Sequence, residues 1–202
     1  MAVVIIDSGG ANLGSVIFAL QRLGVESTVS TDAATIRQAR RVILPGVGAA
    51  GNAMARLRKA GLDRVIPQLT QPLLGICLGL QLLYEHSAED DVPCLGILPG
   101  VIEAFHPLPG VRVPHMGWNR LLWPAATNAA DSGLVAALGS EPWAYFVHSY
   151  HAPINAHTLA HCDHGQPFTA IARRDNFLAA QFHPERSAQT GANLLRYFLE
   201  LP

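Results

Sequence analysis

Pro72-Leu73-Leu74-Gly75-Ile76-Cys77-Leu78-Gly79 is an apolar strand pattern that ends on a cysteine set between two glycines, with a helical pattern opening at Leu78. A strand that turns sharply into a helix strains its turn residue, so the positions two before and two after that residue must be small. Both are glycine here, and the segment reads as a nucleophile elbow with Cys77 at its tip. A cysteine between apolar neighbours is also a common small core residue. The remainder of the chain has to supply what a nucleophile needs.

Working outward, short apolar runs alternate with helical patterns through the first half: Ala2–Ile6, Leu13–Leu23, Glu26–Ser30, Arg41–Leu44, further helices, then Pro72–Ile76. This βαβ rhythm predicts an α/β fold, an open, mostly parallel twisted sheet with helices on both faces. After the elbow helix comes a Pro- and Gly-rich excursion from about Pro93 to Pro124, with a short extended piece at Val101–Ala104. The β-type runs Trp143–Val147, Thr158–Cys162, Thr169–Arg173 and Phe177–Gln181 follow without helices between them, which predicts a second, smaller antiparallel or mixed set of strands. Gln189–Leu199 has the spacing of an amphipathic helix. With no linker or repeat in view, residues 1–202 are expected to form a single domain.

Composition narrows the partners. Half of the 202 residues are hydrophobic and 14% are charged, as suits strands covered on both faces. A formal net charge of −1 with no run of like charges argues against nucleic acid and anionic membrane, which both need clustered Lys and Arg. The apolar start reaches Asp7 without a basic region before it and reads as a first strand, not a signal peptide. Cysteines at 77, 94 and 162 form no CxxC pair, so a reduced, cytoplasmic chain is expected, with Cys77 free to react.

A cysteine nucleophile needs a base, and the base needs a group that fixes its tautomer. Gln181-Phe182-His183-Pro184-Glu185 offers both. Pro184 biases His183 to an extended conformation, from which residues 183 and 185 project to one side. Cys77 and His183 each follow an apolar strand, so a parallel sheet brings both to its carboxyl edge. The Leu78 backbone N–H supplies one oxyanion donor. The second is expected at Val47, because Pro45-Gly46-Val47-Gly48 follows another strand and its glycines let the backbone approach a substrate. His-Pro-Glu is also compatible with a surface turn. The histidines 148, 151, 157, 161 and 164 crowd one region with Cys162, and His157 and His161 have a spacing that binds zinc on a helix; the local pattern is strand-like, which makes the side chains diverge, so no metal site is expected. Only His148 is expected near the active site. Trp118, Trp123 and Trp143 lack basic neighbours and read as core or interface residues.

Taken together, Gly75-Ile76-Cys77-Leu78-Gly79-Leu80-Gln81 and Phe182-His183-Pro184-Glu185 resemble the class I (triad) glutamine amidotransferases. The resemblance implies hydrolysis of the glutamine side-chain amide without a cofactor, with Cys77 as nucleophile, His183 as general acid/base and Glu185 as its orienter. It further implies that Gln81 and Glu89 contact glutamine together with the backbone of Gly46, Gly48, Ser149 and Tyr150. Leu80, Asn12, Pro114-His115-Met116-Gly117-Trp118-Asn119 and Tyr145-Phe146-Val147-His148-Ser149-Tyr150 are similar to one branch of that family. In that branch ammonia passes to a separate (β/α)8 cyclase subunit, with Asn12, Met116, Trp118 and Arg186 lining the shared interface. The branch often has Lys at the place of Arg186, and Tyr-Gly-x-Gly-Asn where this chain has Ser8-Gly9-Gly10-Ala11-Asn12. The Gly46-Val47 loop is expected to hold a carbonyl toward the oxyanion until a partner reorients it, so the isolated chain should be a weak glutaminase. The rival readings are a glutaminase subunit of a different synthase and a non-catalytic flavodoxin-like binding protein.

Overall fold

The computed structural model describes residues 3–9, 13–106, 108–124 and 132–202. The strands are β1 (Val3–Ile6), β2 (Ser27–Ser30), β3 (Arg41–Gly46), β4 (Leu73–Cys77), β5 (His86–Ser87), β6 (Val92–Pro93), β7 (Val101–Ala104), β8 (His115–Arg120), β9 (Trp143–His148), β10 (Tyr150–His151), β11 (Thr158–Asp163), β12 (Pro167–Arg174) and β13 (Phe177–Ala180). The helices are α1 (Leu13–Arg22), α2 (Ala33–Gln38), α3 (Ala50–Lys59), α4 (Leu62–Val65), α5 (Leu78–Leu82), α6 (Ser132–Leu138) and α7 (Ala188–Glu200).

One large sheet runs β11-β12-β13-β4-β3-β1-β2, parallel from β13 to β2, with β12 and β11 added antiparallel at one edge. The pleat sends alternate residues of β1 into two apolar layers. Val3 and Ile5 belong to the same apolar layer as residues of α1, α6 and α7, whereas Val4 and Ile6 belong to the layer that includes residues of α2, α3, α4 and α5. Burial on both faces explains why β1, β4 and β13 are continuous apolar runs. Arg41 is the buried exception: its guanidinium donates to the carbonyls of Phe198 and Leu201, tying the end of α7 to β3.

The later strands depart from expectation in one respect. Thr158–Asp163, Pro167–Arg174 and Phe177–Ala180 extend the main sheet and do not form the second one. The smaller sheets are instead β10-β7-β5-β6 and the antiparallel ribbon β8-β9. The strand β8 lies inside the Pro- and Gly-rich excursion, where composition concealed it.

Candidate active site

Cys77 closes β4 with φ 53° and ψ −111°, the positive-φ turn an elbow requires, and α5 starts at the next residue. The two flanking glycines are needed on distance. A Cβ at position 75 would lie 2.8 Å from the Gly79 carbonyl oxygen, and one at 79 would lie 1.8 Å from the Leu44 carbonyl oxygen. Gly46, paired with Cys77 across β3 and β4, serves the same close approach: a Cβ there would be 2.9 Å from Leu78 Cβ.

His183 reaches the same edge because β13 runs parallel to β4 with Ala180 opposite Ile76. Its backbone is extended, but Pro184–Arg186 forms a 3-10 turn, so the turn, and not strand alternation, carries Glu185 back to the imidazole. Glu185 Oε1 lies 2.8 Å from His183 Nδ1, with the two side chains 1% and 5% exposed. Cys77 shares the cavity wall with the imidazole. Burial alone would push the His183 imidazolium down; its hydrogen bonds to Cys77 and Glu185 and the charges of both outweigh burial and raise its pKa. Ser187 holds this turn in place. Its hydroxyl donates to the His183 carbonyl at 2.7 Å and accepts the Tyr145 N–H at 2.9 Å, while the His183 N–H donates to the Tyr145 carbonyl at 3.0 Å.

Cys77 and His183 open on a cavity of about 570 Å³. Val47, Gly48, Leu78, Gln81, Glu89, Ser149, Tyr150 and Arg186 line it, with Pro114, Val147 and His148. Thus the residues expected around a glutamine converge there, apart from Gly46, which braces the elbow behind Val47. Asn12 lies outside the described residues. Glu89 accepts the Ala50 N–H at 2.9 Å at the start of α3. Burial raises its pKa against that hydrogen bond, with Asp90 adding to the rise. Gln81 is buried and donates through Nε2 to the Tyr150 carbonyl at 2.9 Å and to Gln181 Oε1 at 3.0 Å.

Two groups escaped sequence reasoning. Gln181 is fully buried with its amide 3.8 Å from Cys77 Sγ, a polar end to an apolar strand whose significance depends on distant partners. His115 pairs with His148 across the ribbon and joins it through Nδ1···Nε2 at 3.0 Å; His148 Nδ1 continues to the Tyr150 carbonyl at 2.8 Å. The signal available was the alternation of β8, which puts His115 and Asn119 on one face and Met116 and Trp118 on the other. The latter pair is 63% and 51% exposed. Opposite them on β9 stand Val147 and Tyr145, so an apolar surface runs from the ribbon to the cavity rim at Val147, Pro114 and Arg186.

A cysteine on a strand-to-helix elbow, with an imidazole and a buried carboxylate close by, is an arrangement suited to nucleophilic acyl transfer. The chain belongs to the class-I glutamine amidotransferase family, whose sequence profile matches residues 4–201. It is 58% identical over 197 residues to imidazole glycerol phosphate synthase subunit HisH of Xanthomonas campestris pv. campestris (strain 8004), covering 98% of this chain and 96% of that one. The HisH subunit of Xylella fastidiosa (strain Temecula1 / ATCC 700964) is 57% identical over 199 residues, with coverage of 98% and 97%. A crystal structure of a glutamine amidotransferase shares the fold, with a TM-score of 0.74 at 22% identity over 98% of this chain and 97% of that one.

Proposed function

We propose that this chain, as one amidotransferase domain, hydrolyses the side-chain amide of glutamine through Cys77, His183 and Glu185. As the glutaminase subunit of imidazole glycerol phosphate synthase it would supply the ammonia used in histidine biosynthesis. The observation that carries the reading is Cys77 and His183 on the wall of one cavity, with Glu185 hydrogen-bonded to the imidazole, in a chain close to HisH subunits over its whole matched length. The Cys77 thiolate adds to the amide carbonyl carbon, and the oxyanion is met by the N–H groups of Leu78 and, after the loop turns, Val47. When the tetrahedral adduct collapses, the C–N bond breaks and the His183 imidazolium protonates the departing nitrogen. Ammonia leaves, and a γ-glutamyl thioester stays on Cys77. His183 then takes a proton from water as it attacks the thioester, which frees glutamate and the thiol. Glu185 keeps the imidazole in the tautomer with Nε2 toward sulfur.

Gln81, Glu89 and the backbone of Gly48, Ser149 and Tyr150 would hold the amino-acid end of glutamine, with Gly46 shaping the loop. The partner is a cyclase subunit, HisF, a (β/α)8 barrel seated over Met116, Trp118, Arg186 and Asn12, so that ammonia leaves at the rim. The exposed apolar ribbon continuous with that rim supports this placement. A cytoplasmic location fits three free cysteines and the absence, among the described residues, of a helix long and apolar enough to cross a membrane.

The test is glutamate release by the purified chain, alone and with HisF plus its nucleotide ligand. Strong stimulation by partner and ligand, and complete loss in Cys77→Ala with HisF binding retained, are expected. Steady activity without a partner response moves the chain to another synthase, and no activity under either condition favours a binding protein.

A further inference from the structure

The orientation of the Gln181 side-chain amide is forced by its neighbours. The Tyr150 carbonyl can only accept, and it lies 2.9 Å from the Gln81 amide, so Gln81 must present its amino group there. The same nitrogen is 3.0 Å from Gln181, which must therefore answer with its carbonyl oxygen, Oε1. That leaves the Gln181 amino group facing Cys77, with Nε2 3.8 Å from Sγ. The main chain is fixed as well: the Gln181 N–H donates to the Ala170 carbonyl of β12 at 2.9 Å. No solvent reaches this amide.

We propose that Gln181 is a positioning residue for the nucleophile. Its locked N–H donor fixes the rotamer of the sulfur and favours the thiolate over the thiol. Among the described residues, His183 and the Val147 carbonyl, 3.9 Å away, also face the sulfur; the carbonyl can accept a hydrogen bond from the thiol but offers none to the thiolate. Gln181 and His183 both reach the anion from the short segment that follows β13, and Gln81 couples the Gln181 donor to the backbone that lines the substrate cavity. The remaining titratable or charged groups on that cavity are Glu89, His148, Tyr150 and Arg186, and each is left unchanged by a substitution at position 181.

The inference rests on Cys77 being the nucleophile. Its test needs no glutamine turnover, so the two readings can fail separately. Alkylation of Cys77 by iodoacetamide is followed by peptide mass spectrometry across pH, which separates Cys77 from Cys94 and Cys162. Gln181→Met keeps shape and removes the donor. The midpoint of the alkylation profile should rise by about one pH unit or more, equivalent to roughly tenfold less thiolate at a given pH on the acid limb. In Gln81→Met, residue 181 is intact but its amide is free to turn, and a smaller rise is expected. An unshifted midpoint in folded Gln181→Met overturns the proposal. If that variant loses its near-ultraviolet circular dichroism, the Gln81→Met profile decides by the same rule. Glutamate release that survives in Cys77→Ala would instead remove the functional reading on which this one stands.

Discussion

Replacing Gly79 by alanine puts a methyl group 1.8 Å from the Leu44 carbonyl oxygen and 2.9 Å from its carbon. Carbon and oxygen settle at about 3.3 Å, so helix and strand must separate by about 1.5 Å. Neither partner can evade the contact by changing rotamer, because both are backbone. Leu44 is paired with Gly75, and the following residues Pro45 and Gly46 with Ile76 and Cys77, so the displacement passes directly to the elbow and to the loop that carries Val47. Overpacking of a tight core costs about 1–3 kcal/mol, and a backbone clash belongs at or above the upper end. A displacement of about 1 Å in a reacting group costs roughly a hundredfold in rate. Gly79→Ala should therefore lose about 3 kcal/mol in urea unfolding and at least a hundredfold in glutamate release measured with the cyclase partner present. Gly14→Ala on the exposed side of α1 is the control, since a methyl group there comes no nearer than 4.0 Å, to Phe18 Cε2, which is ordinary contact. It should gain a few tenths to about 1 kcal/mol from helix propensity. A Gly79→Ala protein with wild-type stability and turnover would refute the close-approach argument.

Burial pushes His148 down to about 3 and His115 down to about 4, from 6.5, with other imidazoles adding to both shifts. Because both folded values are lowered, the stability they contribute is present above pH 6.5 and is lost as pH falls toward 4, at about 1.4 kcal/mol per pH unit for each ring once well below 6.5. Urea unfolding at pH 7, 6 and 5 should show this decline, and a flat profile would contradict neutral buried imidazoles. His183 has the opposite sign: its pKa is raised, so its contribution is complete below 6.5 and disappears only as pH rises through the raised value. Ser187→Ala strips the Tyr145 N–H of its acceptor and the His183 carbonyl of a donor. A loss of about 1–3 kcal/mol in stability and a fall in kcat with little change in KM are expected, and unchanged kinetics would show that Ser187 does not hold the catalytic turn.

Legibility followed the range of the interactions. The elbow depends on five consecutive residues, and the steric demand on Gly75 and Gly79 could be deduced before any coordinates. The parallel strands were legible because burial on both faces writes an uninterrupted apolar run. Strand partnership was not. Phe177–Ala180 joins Leu73–Ile76 across roughly a hundred residues, and no local pattern states whether three clustered strands form their own sheet or extend an existing one. The geometry of His183 and Glu185 shows a further limit. The pair was legible as a spacing of two, but Pro184 starts a 3-10 turn there and the strand argument gave the right neighbours by the wrong path.

The ribbon β8-β9 shows why the remainder of the site required the structure. His115 faces His148, Met116 faces Val147 and Trp118 faces Tyr145, so one face of the ribbon is exposed and apolar while the other carries imidazoles toward the cavity. In a strand with period two, a slip of one residue in β8 would exchange those faces. Met116 and Trp118 would turn inward, and His115 and Asn119 would be left in solvent. The register is therefore one structural fact with two consequences, an exposed apolar surface and a hydrogen-bond chain ending on the Tyr150 carbonyl. Since Gln81 also donates to that carbonyl, and to Gln181 beside Cys77, the imidazole face of the ribbon and the surroundings of Cys77 share one hydrogen-bond acceptor. Only the bond from His148 to Tyr150 is local in sequence; the others join residues 69, 100 and 104 positions apart.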